Sequence, residues 1–159
     1  MATEEMVNEL LNEIKSKLKQ IDSKLDAEKV FLNGNCGNMY TIFANYFPKK
    51  AVVPHIISYN KIPYHIISEI DGEFYDITGK TSFEKYIDYV QKNNPNSSFL
   101  SEKFSMERVE IADRSYRVNQ MSDMYDYDEN YEQSGIANQM YRLEEHLKLF
   151  KESKSKEEK

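Results

Sequence analysis

Met6, Leu10, Ile14, Leu18, Ile21 and Leu25 recur at steps of four, four, four, three and four, the stripe of one amphipathic helix over residues 3–25. Thr3 stands where an N-cap would, and the polar remainder predicts a solvated face opposite a docked one. An Asn- and Gly-rich loop at 32–35 follows. Residues 36–47 then carry a second helical pattern with Met39, Ile42, Phe43 and Tyr46 inward, ended by Pro48. Beyond it the helical period gives way to short β-branched runs at 52–59, 64–70 and 73–78. Asn60-Lys61 separates the first two and Asp71-Gly72 the last two, which predicts an antiparallel meander. Thr81-Ser82-Phe83-Glu84 has capping-box form with Thr81 as the cap, ahead of a helix over 82–91.

Residues 108–112 alternate like a further strand, while 121–131 is acidic and Tyr-rich with no clear period. Ile136, Met140, Leu143, Leu147 and Phe150 return at helical spacing across 131–150. Residues 151–159 are almost all charged and predict a disordered tail. The whole predicts one α+β domain over residues 1–150, with helices packed around a small antiparallel sheet. Its parts are an N-terminal helix at 3–25, a catalytic-like core at 30–92 and a C-terminal helix at 131–150.

At 159 residues one core can be buried without staples. The net charge of -6 argues against a nucleic-acid partner, whose phosphates are met by clustered Lys and Arg. No apolar run approaches the roughly 18 residues of a membrane span. One cysteine forms no internal disulfide, and the first residues lack the basic and apolar regions of a signal peptide, so the expected compartment is a reducing cytoplasm. Cations that are mostly Lys, with abundant Asn, Ile and Tyr, suggest an AT-rich genome such as phages and low-GC bacteria have.

The candidate chemistry lies in chain order. Cys36 sits at the mouth of a predicted helix, where unpaired amides and the macrodipole favour a thiolate. His65 and Asp76 lie on successive strands of a tight hairpin. A type I′ turn at Asp71-Gly72 pairs Ile70 with Glu73, Ile67 with Asp76 and His65 with Thr78, making His65 and Asp76 diagonal neighbours on one face. Nucleophile, base and orienter can assemble this way. The same cysteine equally fits a small buried hydrophobe, and the hairpin an ordinary polar one. His55 competes as base, but a two-residue turn at Asn60-Lys61 pairs His65 with Ile56 and puts His55 on the opposite face. His146 reads as solvated. Neither C-x-x-C nor H-E-x-x-H occurs and no glycine motif cradles phosphate, so no metal or cofactor is expected. The acidic stretch at 123–129 lacks the central Gly and terminal Glu of a calcium loop.

Asn35-Cys36-Gly37, His65 and the Asp-Gly-x-x-Tyr-Asp segment that ends in Asp76, with Gly79 beyond it, resemble the core of the papain-like superfamily in its transglutaminase-like branch, over about residues 33–79. The resemblance implies a helix packed on an antiparallel sheet, with Cys36 as nucleophile, His65 as general base and Asp76 as orienter. It implies acyl transfer on a protein or peptide amide, by a peptidase, amidase, deamidase or transglutaminase-like enzyme. Val30 stands six residues before Cys36, where papain-type peptidases carry an oxyanion-donating Gln. Side-chain amides of Asn33 or Asn35, or the main-chain amide of Gly37, are the candidates for that role. The alternative is a non-catalytic binding protein, such as a phage or host-interaction factor, that uses the acidic, Tyr-rich surface near residues 125–131.

Overall fold

A computed structural model describes residues 2–32, 35–96, 98–122 and 133–157 of the chain. Helix α1 (Glu4–Ile21) begins where Thr3 Oγ1 accepts the Met6 N–H at 3.2 Å, as its N-cap position predicts. Its buried face is Val7, Leu10, Leu11, Ile14 and Leu18, while Met6 is exposed, so the stripe is rotated slightly from the predicted one. The helix stops short of Leu25. Asp22 Oδ1 accepts the Lys24 N–H at 2.9 Å, turning the chain, and Asp26 Oδ1 accepts the Glu28 N–H at 2.9 Å to start α2 (Ala27–Leu32). That short helix replaces part of the expected continuation and loop. α3 (Cys36–Tyr46) ends at Phe47, ahead of Pro48, as predicted.

The sheet is antiparallel with five strands in the order β4-β3-β2-β1-β5. These are β1 (Val52–Tyr59), β2 (Ile62–Ile70), β3 (Glu73–Asp76), β4 (Gly79–Lys80) and β5 (Phe104–Arg108). Both hairpins turn on two residues with positive φ: Asn60 (49°) with Lys61 (67°), and Asp71 (50°) with Gly72 (85°). The second hairpin keeps its predicted register, with Ile70 opposite Glu73. The first does not. Tyr59 pairs Ile62 and Ser58 pairs Pro63, but Ile57 pairs His65, so Tyr64 is an extra residue on β2. Proline gives the ladder no donor, and a bulge beside it absorbs the mismatch. His65 therefore opposes Ile57 rather than Ile56, and His55 lies on the same face as His65, not the opposite one.

Further corrections follow from capping and packing. β3 ends at Asp76, because the chain turns through Thr78 and returns as β4, pairing Asp76 with Gly79. Thr78 is thus not opposite His65. Ser82, not Thr81, caps α4 (Phe83–Asn93), its Oγ accepting the Lys85 N–H at 3.1 Å. The fifth strand falls at Phe104–Arg108 rather than 108–112, paired along β1 from Tyr59 to His55, and Ile111–Asp113 is a 3₁₀ turn leading to α5 (Arg114–Ser122). α6 (Gln133–Glu157) continues past Phe150, so residues 151–157 are helical instead of a disordered tail. Partners on neighbouring helices hold that extension: Lys151 Nζ donates to Asn45 O at 2.9 Å, and Lys154 pairs with Glu9 of α1. His146 of α6 is likewise partnered across helices, 2.7 Å from Glu13 of α1, rather than solvated alone. Of the aperiodic stretch at 121–131, Met121 and Ser122 instead end α5, with Met121 buried, and 123–131 lies outside the described residues. Among the described residues no helix is long and apolar enough to cross a membrane.

Burial divides between the two faces of the sheet. Val52, Ile56, Ile66 and Ile70 join α1, α3, α5 and α6 in the main core, whose side chains include Phe31, Phe43 and Leu143. Ile57 and Ile67 meet Tyr86 and Val90 of α4 and Phe104 of β5 on the other face. β1 and β2 are central strands covered on both sides. Each fully buried aliphatic or Phe side chain in these layers contributes roughly 1.5–3 kcal/mol.

Candidate active site

α3 packs against both β2 and β3, which brings its first residue toward the hairpin. β3 pairs β2 only over Ser68–Ile70, so the strand beyond Ile67 has no ladder partner on that side. His65 lies in this stretch. Its Nε2 is 3.0 Å from Asp76 Oδ2. Asp76 is held in turn from the far side, where the Thr78 N–H donates to Oδ1 at 2.8 Å and the Thr78 hydroxyl donates to the same oxygen. Both carboxylate oxygens are engaged and the imidazole is fixed through one nitrogen.

Cys36, the first residue of α3, is the other polar neighbour of His65. Burial works against a charged imidazole, but hydrogen bonding to Asp76 and Cys36 and the negative charge of both overcome it and raise the His65 pKa to about 9. Nδ1 of His65 is itself buried without a hydrogen-bond partner that meets strict geometry among the described residues. For Asp76 burial again opposes the charged form, yet the bonds to His65 and Thr78 leave its pKa below the usual value. All three side chains are nearly sealed: Cys36 and His65 are 1% exposed and Asp76 3%.

Sequence reasoning missed Tyr86. Its ring lies flat on the His65 imidazole, centroids 4.4 Å apart and planes 9° from parallel. The phenol is pushed well above its ordinary pKa, first by burial and then by the charges of Cys36, Tyr89, Asp76 and Tyr64. The signal was its place in α4: Tyr86 and Val90 are spaced i, i+4 on the buried face.

Among the proposed oxyanion donors, Asn35 is buried and committed inside the protein. Its Nδ2 donates to Val30 O at 3.2 Å, and its Oδ1 accepts from Asn38 Nδ2 at 3.1 Å. It caps α3 without a side-chain bond to the helix amides. Gly37 is buried in the first turn of α3, where N–H groups precede the first helical acceptor. Asn33 lies outside the described residues. His55, the rival base, is bound elsewhere: Nε2 is 2.9 Å from Glu69 Oε1, and the ring meets Phe74 edge-on at 4.9 Å. A groove of about 760 Å³ between α3 and α6, lined by Ile42, Tyr46, Glu144 and Lys148 among others, contains none of the three residues.

Residues 10–113 match the family model described as Phage YunG-like protein, a span that contains Cys36, His65, Asp76 and Tyr86. No curated protein and no solved structure matches the chain.

Proposed function

The chain belongs to the Phage YunG-like protein family, and from the geometry of Cys36, His65 and Asp76 we propose that it is a cysteine-dependent acyl-transfer enzyme with a papain-like or transglutaminase-like core. The observation that carries this reading is the buried imidazole that holds Asp76 through Nε2 and turns its other nitrogen to no strict partner beside Cys36. Loose nucleophile–base contacts tighten when a substrate is bound.

Cys36 and His65 act as a thiolate–imidazolium pair, the thiol proton already resting on His65, and the thiolate attacks the carbonyl carbon of an amide or thioester-like substrate. A carbon–sulfur bond forms and the carbonyl π electrons move to oxygen. The main-chain amides of Cys36 and Gly37, at the start of α3, serve that oxyanion. On collapse the leaving amine receives the proton from the imidazolium. Water or a second amine then attacks the thioester, gives its proton to His65 and returns Cys36 as thiolate. Asp76 holds the imidazole plane and stabilises its cationic form. The substrate is a protein or peptide amide.

The near-complete burial of the three side chains favours a second reading: a non-catalytic binding protein in which they form an internal structural cluster. Incubation with p-nitrophenyl esters separates the two. The enzyme gives a burst of nitrophenol and a mass increase on Cys36 equal to the acyl group, both absent in Cys36→Ser. A folded protein with no burst and no adduct overturns the acyl-transfer reading.

A further inference from the structure

Stacking of an aromatic ring on an imidazole differs from ordinary core packing in what it does to charge. The face of a phenol ring carries negative potential, so a cation laid on it is stabilised, the more so when water is excluded. His65 is completely buried, and the groups that face it come from three elements: Cys36 from α3, Asp76 from β3 and Tyr86 from α4. Cys36 and Asp76 are the polar neighbours of the imidazole, while Tyr86 lies flat on the face of its ring.

We propose that Tyr86 is a positioning residue for His65: its ring fixes the imidazole plane between Asp76 and Cys36 and stabilises the imidazolium that carries the proton. The proposal rests on the acyl-transfer reading only in taking His65 as the proton carrier. Tyr86 is set by the main chain of α4, which starts at the Ser82 cap, and by burial against Ile57 and Ile67. Its plane is therefore dictated by helix and sheet together, and the imidazole cannot tip without losing the stack. A rotated ring would swing Nε2 away from Asp76. The phenol hydroxyl has no part in this argument; the face of the ring does.

The test follows the His65 titration by NMR of ring-labelled histidine in the full chain. Tyr86→Phe keeps the face and leaves the midpoint within about 0.3 unit of native, whereas Tyr86→Leu lowers it by about one unit, a tenfold loss in proton affinity. Should Tyr86→Leu not fold, the Tyr86→Phe protein with a progressively fluorinated phenylalanine ring decides. Fluorine drains the face while nearly preserving shape, and the midpoint falls stepwise with each substitution. A midpoint indifferent to ring fluorination overturns the proposal. Failure of the acyl-transfer reading is seen separately, as no Cys36 adduct from the esters while the midpoint still follows the ring.

Discussion

His65 and Asp76 join across a gap in the sheet. Their 3.0 Å bond connects β2 to β3 past the last paired residues, Ser68 and Tyr75, with Asp76 one position beyond Tyr75 and His65 three beyond Ser68, where the ladder between these two strands has ended. Thr78 makes this possible by bonding the other carboxylate oxygen and stopping Asp76 from rotating outward. A buried carboxylate satisfied on both sides is costly to disturb, because removing either partner leaves charge without compensation.

Reactivity of Cys36 is the first consequence. His65 holds its proton up to about pH 9, so at pH 6 to 7 a cation stands beside the sulfur. Iodoacetamide should label Cys36 faster than a free thiol in that range, and His65→Ala should slow the reaction by roughly tenfold or more. Equal rates in the two proteins would remove His65 as the partner of the thiol.

Stability should follow pH with a definite sign. The folded His65 pKa stands above its ordinary 6.5, so its contribution is full below about 6.5, declines as pH rises and is gone above about 9. Asp76 has the opposite shift: its contribution is present above its ordinary 3.8 and is lost as pH falls through the lower folded value. The melting temperature should be highest between about pH 4 and 6.5 and decline toward pH 9. His65→Gln should flatten the alkaline decline, whatever it does to the absolute value. The same slope in both proteins would mean that another group titrates there.

Helices α1, α3, α4 and α6 and the second hairpin were legible in the sequence because each rests on local chemistry, such as a period of apolar residues, a Thr cap or an Asp-Gly pair with positive φ, whereas α2 and α5 were not. The His65–Asp76 contact followed from that hairpin, since two-residue turns leave one register. What escaped depended on contacts distant in sequence. The bulge at Tyr64 reflects competition between the Asn60-Lys61 turn and Pro63 within one strand pair, and it reversed the face assigned to His55. Residues 151–157 carry no apolar stripe, and only Asn45 and Glu9, over a hundred positions away, show why they stay helical. Tyr86 was missed because its ring partner comes from a strand and not from its own helix.

Gly79 should matter more than Gly72, although both have positive φ, at 103° and 85°. A Cβ on Gly79 would meet only Asn8 Oδ1 at 3.6 Å, and one on Gly72 nothing within 4 Å, so neither alanine clashes. Backbone strain alone predicts similar losses of about 1–3 kcal/mol for Gly79→Ala and Gly72→Ala. Gly79 also pairs with Asp76 and closes the turn that carries Thr78. At matched loss of melting temperature, Gly79→Ala should therefore slow Cys36 labelling several-fold more than Gly72→Ala. Indistinguishable labelling would show that the turn does not govern the carboxylate.

Asp76→Asn separates an orienting carboxylate from a structural one. The amide is nearly isosteric and can still accept from the Thr78 N–H through its oxygen, which leaves its NH₂ facing His65 Nε2. Two donors cannot share that contact, so the imidazole must give up its Nε2 proton and carry one on Nδ1, beside the thiol it is meant to deprotonate. If Asp76 orients the base, the variant should fold and melt within a few degrees of native while acylation and labelling of Cys36 fall by orders of magnitude, as the wrong tautomer does in other triads. If Asp76 only braces the hairpin, the melting temperature should drop and the labelling of whatever remains folded should be unchanged. Thermal unfolding and labelling rate measured on the same preparation decide, and a lost fold with unchanged thiol reactivity would favour the binding-protein reading.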